Sequence, residues 1–142
     1  MEPAESPDLS FFRLVDMFLG ATAKDVKADI LSSFRDAAGH LRVLICTSAF
    51  GMGIDCKGVE RVYHWDPPDD IELYVQEIGR AGRDERQCTA TLFVSDAEAK
   101  GDFDEYCNSQ ECRRLTLESL FQVDKQSVTP AHFCCDICEQ VC

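Results

Sequence analysis

The chain has 142 residues, enough for one ordinary domain or for one domain with a small metal-stabilised extension. Its 26 acidic residues outnumber its 14 lysines and arginines, and the net charge of -12 argues against a free-standing nucleic-acid binder with a basic surface. No apolar run approaches the roughly 18 residues that a membrane span needs, so we expect no membrane partner. The acidic start, MEPAESPDLS, lacks the basic and apolar parts of a secretory signal, so we expect an intracellular protein.

Apolar periodicity predicts alternating strands and helices along the first hundred residues. Each predicted strand is a short apolar run bounded by turn residues, at residues 12–18, 41–46, 59–65 and 89–94. Helices are predicted at residues 22–34, with Thr22 as the N-cap, and from Asp69 and Asp70 through Ile78. This alternation is typical of an α/β fold with parallel βαβ units, and the nearly continuous apolar strands predict a sheet covered on both faces.

From Asp96 onward the pattern becomes helical, and it ends in a cysteine-rich tail. Five of the nine cysteines lie in the last 31 residues: Cys112, Cys134, Cys135, Cys138 and Cys142. In a chain without a secretory signal, such clustering indicates metal binding, whereas we expect Cys46 and Cys88 to be core residues. We therefore divide the chain into an acidic lead-in at residues 1–10, an α/β domain at residues 11–100 and a small helical domain at residues 101–142.

A glycine-rich segment follows directly after the second strand. It runs from Thr47 to Asp55 and contains Gly51 and Gly53. Glycines at the carboxyl end of a strand let backbone N–H groups approach a ligand or phosphate closely, and open α/β sheets bind ligands at this edge. By itself the segment fits equally well a glycine-rich turn with no ligand.

Two arginines stand three positions apart at the end of the second helix, in residues 76–83 (QEIGRAGR). Arginine is always charged, and its planar guanidinium matches phosphate oxygens. Such arginines can stabilise the charge on a transferring phosphoryl group. The alternative is a solvated charge that the helix dipole favours, but with Gln76 and both glycines in register we favour the phosphate interpretation.

The tail has the ligand spacing of a structural zinc site. His132, Cys135 and Cys138 are separated by two residues each, and Cys112 lies upstream on a predicted helix. Three thiolates and one imidazole complete a closed tetrahedral set, and zinc would stabilise a stretch with too few apolar residues to fold alone.

Alternatives to this ligand set remain open. Cys134 or Cys142 could replace His132, and Cys107 could replace Cys112. The cysteines could also be reduced thiols that bind no metal.

Arg113 and Arg114 have two interpretations of their own. They could contact DNA phosphate, or they could pair with Glu111 and Glu118 on the same helix.

Together these segments resemble the RecQ family of superfamily 2 DNA helicases. Residues 47–55 (TSAFGMGID) look like helicase motif V, and residues 76–84 (QEIGRAGRD) look like motif VI. The run at residues 112–114 (CRR), followed by CDIC at residues 135–138, looks like the zinc-binding subdomain of that family. The resemblance covers residues 12–138. It implies the second RecA-like lobe of a motor, incomplete at its N-terminus, followed by a small helical zinc-binding subdomain.

The resemblance also implies site residues. ATP with Mg²⁺ would lie between this lobe and a first RecA-like lobe, with Arg83 as the arginine finger. The implied contacts are, for the nucleotide, Gly51, Gly53 and Asp55; for its phosphates, Gln76, Arg80 and Arg83; for DNA, Thr47, Arg113 and Arg114; and for a structural Zn²⁺, Cys112, His132, Cys135 and Cys138.

By resemblance, the function is that of an ATP-dependent DNA helicase in the nucleus. It would translocate 3′ to 5′ on one strand while separating the duplex, with single strands and duplex junctions as its DNA partners. The 142 residues contain no GxxxxGK[ST] phosphate loop and no DEAH-type magnesium-binding sequence. We therefore expect that this chain alone neither hydrolyses ATP nor unwinds DNA. The alternative function is a non-catalytic, zinc-stabilised module that binds DNA or a protein.

Overall fold

A computed structural model describes residues 13–47, 56, 58–95, 101–123 and 134–141 of the chain. Within these residues the elements follow in the order β1 (Val15–Phe18), α1 (Lys24–Arg35), β2 (Val43–Cys46), β3 (Arg61–Trp65), α2 (Ile71–Ile78), β4 (Thr89–Phe93), α3 (Asp102–Asn108), α4 (Arg113–Leu120) and α5 (Asp136–Val141). The alternation of strands and helices expected from the sequence is confirmed, and each strand lies within its predicted range.

By its internal contacts the chain divides into two compact units. The first comprises Met1–Val62 and Gln76–Ala90, and the second comprises Tyr63–Val75 and Thr91–Cys142. Strands β3 and β4, which pair in a two-stranded sheet, and helix α2 each contribute residues to both units. The domain boundary expected near residue 100 stays a prediction.

In the first unit, strands β1 and β2 pair in parallel, as the sequence predicts. The register runs from Val15 opposite Val43 to Phe18 opposite Cys46. Helix α1 packs on this pair through Ile30, and a small core forms in which Phe18, Ile30 and Leu41 are buried. Cys46, which we expected in the core, is exposed at the end of its strand.

The opposite face of this strand pair is apolar and open. Side chains alternate along a strand, so Val15 and Met17 lie on the face away from Phe18, beside their partners Val43 and Ile45. All four are between 48% and 54% exposed. The expectation of cover on both faces is therefore wrong for the part of the chain that the structure describes.

The two predicted helix starts differ in outcome. Helix α1 begins after Ala23, and the hydroxyl of Thr22 instead accepts the N–H of Leu19 at 3.1 Å, so Thr22 closes a turn rather than capping the helix. At α2 the prediction is confirmed, because Asp70 Oδ1 accepts the N–H of Leu73 at 2.6 Å, within the first helical turn.

The second unit is organised around an aromatic core. Tyr74 of α2 is 2% exposed, and its ring centroid lies 5.7 Å from those of Phe103 and Tyr106 in α3. His64 of β3 meets the same tyrosine edge to face at 5.0 Å. Such ring pairs contribute beyond their buried area, so they fix α2, α3 and β3 together.

No helix in the described ranges is both long enough and apolar enough to cross a membrane.

Candidate functional site

The arginine-bearing segment continues the end of α2 as a tight turn. The N–H groups of Arg80 and Ala81 each donate to a carbonyl three residues earlier, at 3.1 Å. Gly82 has a φ of +69°, and its N–H donates to the carbonyl of Val59 at 3.2 Å. The turn is therefore tied both to its own helix and to the segment that precedes β3.

Gly82 is required here for two reasons. A positive φ is costly for any residue that carries a Cβ. A Cβ at this position would also lie 2.8 Å from the Sγ of Cys88 and 3.3 Å from the carbonyl oxygen of Arg86. Cys88, which we expected in the core, is exposed and lies against this turn.

The turn brings the three residues expected to face phosphates to one end of α2. Gln76 and Arg83 are exposed, whereas Arg80 is half-buried with its Nε shielded from solvent. Arg83 Nε donates to the carbonyl oxygen of Gly79 at 3.3 Å, which holds the base of its side chain over the turn. The two arginines therefore differ in exposure: Arg83 lies at the surface, and Arg80 is partly buried.

A third arginine in this turn is engaged by acidic neighbours. Arg86 Nε donates to Asp84 Oδ2 at 2.7 Å, and its Nη1 lies 3.6 Å from Glu60 Oε1. The hydrogen bond from Arg86 lowers the pKa of Asp84. The positive charge of Arg86 is therefore balanced by Asp84 in the turn and by Glu60 just before β3.

The glycine-rich segment is described only at its first residue. Thr47 is exposed immediately after β2. Gly51, Gly53 and Asp55, the residues expected to approach the nucleotide, lie outside the described residues.

Four cysteine side chains converge in the second unit. Cys112 directly precedes α4, Cys134 and Cys135 directly precede α5, and Cys138 lies within α5. Their sulfur atoms all lie within 4.8 Å of one another, with Cys112 Sγ 3.4 Å from Cys134 Sγ and 3.9 Å from Cys135 Sγ. Four thiolates around zinc at about 2.3 Å would be about 3.8 Å apart, so this donor set fits a tetrahedral metal ion.

Three of the four expected metal ligands are in this cluster. Cys112, Cys135 and Cys138 come together, and the fourth sulfur belongs to Cys134, which the sequence left as an alternative. His132 lies outside the described residues. The cysteine cluster could hold a metal ion.

The cluster already favours a thiolate at one position. Burial acts to raise the pKa of Cys112, but the backbone N–H groups of Leu115 and Arg114 and the neighbouring thiols outweigh it and lower the pKa to about 7. Burial and the hydrogen bond to Cys112 raise the pKa of Cys134 to about 11. One sulfur at the start of α4 is therefore the preferred anion, because helix N-termini stabilise negative charge.

Arg113 and Arg114, the pair expected at DNA, have protein partners. Arg114 Nε donates to Glu118 Oε1 at 2.9 Å, which is the helical pairing that the sequence offered as the alternative. Arg113 faces Asp136 instead, with two contacts of 3.2 Å. Neither contact tests DNA binding, which stays a prediction.

The helicase conserved C-terminal domain matches residues 12–85, which is more than half of the chain. The chain belongs to this helicase family. It is 39% identical to the ATP-dependent DNA helicase RecQ of Haemophilus influenzae over 124 residues, covering 70% of this chain and 19% of RecQ. The chain is similar to the C-terminal helicase part of RecQ-like superfamily 2 helicases, and it spans about a fifth of the length of that relative.

Solved structures give the same fold for this helicase domain. The yeast DEAD-box splicing factor Prp28 superposes with a TM-score of 0.56 at 22% identity, over 81% of this chain and 27% of Prp28. The Mycobacterium smegmatis helicase Lhr, solved with ssDNA and AMP-PNP, superposes with a TM-score of 0.54 at 23% identity, over 84% of this chain and 14% of Lhr. The RecA-like α/β fold expected for the helicase domain is confirmed.

Sequence reasoning missed one residue of α5, Asp136, which pairs with the arginine that follows Cys112. Asp136 stands between the two cysteines of the CDIC run and pairs with Arg113. A signal for this pair was present in the sequence. An acidic residue lies between the candidate ligands Cys135 and Cys138, and a basic residue directly follows the candidate ligand Cys112.

Proposed function

We propose that this chain is the C-terminal lobe of a RecQ-like ATP-dependent DNA helicase and that it completes an ATP site with a first RecA-like lobe. The observation that carries the proposal is the hydrogen-bonded turn at the end of α2, in which Arg83 is exposed and Arg80 is half-buried. Guanidinium groups positioned on a fixed turn can neutralise the charge that develops on a transferring phosphoryl group.

Each residue implied by the RecQ resemblance keeps a proposed role. Arg83 is the arginine finger, and Arg80 and Gln76 contact the phosphates of ATP bound with Mg²⁺. The remaining residues are Gly51, Gly53 and Asp55 at the nucleotide and Thr47, Arg113 and Arg114 at DNA. The exposure of Thr47 at the carboxyl end of β2 supports its role, since ligands bind at that edge of open α/β sheets.

The complete motor would translocate 3′ to 5′ and separate duplex DNA, with single strands and duplex junctions as its substrates. Because residues 1–142 contain no phosphate loop, we propose that this chain alone hydrolyses no ATP. A nuclear location remains part of the proposal, which the similarity to a bacterial protein does not test.

The cysteine cluster is proposed to hold one structural Zn²⁺. Cys112, Cys135 and Cys138 would bind it together with Cys134, in preference to His132, because the four sulfur atoms already lie at tetrahedral spacing. When bound, zinc would supply folding energy to residues 101–142, where α3, α4 and α5 are each eight residues or shorter.

The test uses a chimaera in which this chain replaces the matching segment of Haemophilus influenzae RecQ. DNA-stimulated ATP hydrolysis and unwinding of a duplex with a 3′ single-stranded tail should be retained. Arg83→Ala should lower the ATPase rate by about 10³-fold or more. Arg86→Ala is the matched control, since that arginine lies in the same turn and is paired with Asp84, and it should leave the rate nearly unchanged.

A folded chimaera that binds DNA but shows no ATPase activity would overturn the motor proposal. It would favour the non-catalytic, zinc-stabilised interaction module instead.

A further inference from the structure

Arg113 occupies a central place in the second unit. It is the first residue of α4, it follows Cys112 directly, and its side chain is only 22% exposed. The surrounding groups are carbonyl oxygens, a carboxylate and an aromatic ring, so the guanidinium is enclosed by groups of its own chain.

One edge of the guanidinium meets the end of α3. Nη1 donates to the carbonyl oxygens of Tyr106, of Cys107 at 3.1 Å and of Ser109 at 3.4 Å. The last carbonyls of a helix have no partner within the helix and carry its negative dipole. Arg113 therefore satisfies the end of α3 with a positive charge.

The other edge meets the helix that carries a cysteine of the cluster. Nε and Nη2 donate to the two carboxylate oxygens of Asp136, each at 3.2 Å, in a bidentate pair. The backbone N–H of Arg113 also donates to Cys135 Sγ at 3.4 Å. Side chain and backbone thus hold the segment from Cys135 to Asp136 against the start of α4.

An aromatic ring links this arginine to α2. The guanidinium carbon lies 5.7 Å from the ring centroid of Tyr106, and that ring packs 5.7 Å from the buried ring of Tyr74. A contiguous set of contacts therefore runs from Cys135 of the cysteine cluster through Arg113 and Tyr106 to Tyr74 of α2.

We propose that Arg113 is a positioning residue for the cysteine cluster, and that it links metal loading to the aromatic core around Tyr74. The inference rests on the proposed metal site. The planar guanidinium of Arg113 contacts the carbonyl oxygens at the end of α3, the carboxylate of Asp136 and the ring of Tyr106 at the same time. Lysine carries a single ammonium and cannot make these contacts together. Partners that hold metal ligands in place typically change metal affinity by about 10–100-fold when they are removed.

The experiment compares the intact chain with Arg113→Lys and Asp136→Asn, and uses Arg86→Ala as the control because that arginine pairs with Asp84 in the turn after α2. Zn²⁺ affinity is measured by competition with a chromophoric chelator, and the ligands are monitored by the thiolate-to-metal absorption of the Co²⁺ form. Arg113→Lys and Asp136→Asn should each weaken Zn²⁺ binding about 10–100-fold with an unchanged Co²⁺ spectrum. Arg86→Ala should stay within about twofold of the intact chain.

The link to α2 is read separately by amide hydrogen exchange at saturating Zn²⁺. Metal should slow exchange in α2 of the intact chain and slow it less in Arg113→Lys. If the intact chain binds Zn²⁺ and both variants bind it equally well, the inference is overturned while the proposed metal site stands. If the intact chain binds no Zn²⁺, both are overturned. If Arg113→Lys fails to fold, the Zn²⁺ affinity of Asp136→Asn alone decides whether the inference stands.

Discussion

Replacing Gly82 by alanine should destabilise this chain more than the same change at any other glycine considered below. The φ of +69° places an alanine in the left-handed region, at a cost of about 1–2 kcal/mol. The new Cβ would lie 2.8 Å from Cys88 Sγ, inside van der Waals contact, and such overpacking adds about 1–3 kcal/mol. Because Cys88 is exposed and its sulfur can move aside, the lower part of that range applies, and we expect a total of about 2–4 kcal/mol.

Two other glycines separate the cost of the positive φ from the cost of the close contact with Cys88. Gly58 has a φ of +79°, but its added Cβ would meet only the flexible end of Arg86 at 3.4 Å, so Gly58→Ala should cost about 1–2 kcal/mol from backbone strain alone. Gly20 has open space around it, so Gly20→Ala should be neutral or stabilise by up to about 1 kcal/mol.

The assay is urea unfolding followed by far-ultraviolet circular dichroism and by the fluorescence of Trp65, the single tryptophan. The double variant Gly82→Ala with Cys88→Ala should recover about 1 kcal/mol relative to the sum of the single changes, because the close sulfur is gone. The reasoning fails if Gly82→Ala costs no more than Gly20→Ala, or if removal of the Cys88 sulfur recovers nothing.

Three further outcomes follow from the cluster and the aromatic core. Cys134→Ser should reduce bound zinc and the thiolate absorption of the Co²⁺ form, while His132→Ala should leave both unchanged; the reverse pattern would restore the ligand set expected from spacing. Zn²⁺ affinity should fall more steeply with decreasing pH below about 7 than above it. The reason is that the pKa of Cys112 is about 7, so below that pH its thiol must release one more proton when the metal binds. A competition titration in which the logarithm of the affinity changes with one constant slope from about pH 6 to 8 would contradict this. Tyr74→Ala should lower the free energy of unfolding by about 3–5 kcal/mol, since this side chain is 2% exposed, whereas Tyr63→Ala, at 59% exposure, should cost less than about 1.5 kcal/mol in the same urea assay.

The predictable parts of the fold are those that depend on residues close together in the sequence. The apolar runs that became β1 to β4 and the helix opened by Asp70 are fixed by local periodicity and by a cap three residues from its acceptor. Thr22 shows the limit, because its hydroxyl accepts the N–H of Leu19 and the helix that follows begins after Ala23 instead. The open face at Val15 and Val43 is a second limit, because periodicity shows that a strand is apolar but not which packing partners are present.

The candidate sites also have parts that the local sequence predicts and parts that it does not. The sequence by itself determined that residues 112, 135 and 138 are candidate ligands and that two arginines stand at the end of the second helix, because residue type and short spacing define both features. Only the tertiary structure decided that Cys134 contributes the fourth sulfur and that Arg113 meets Asp136, which lies 23 positions away. Those choices depend on how α4 and α5 approach each other in space, and the free energy that fixes this approach comes from contacts between distant segments of the chain rather than from any local pattern.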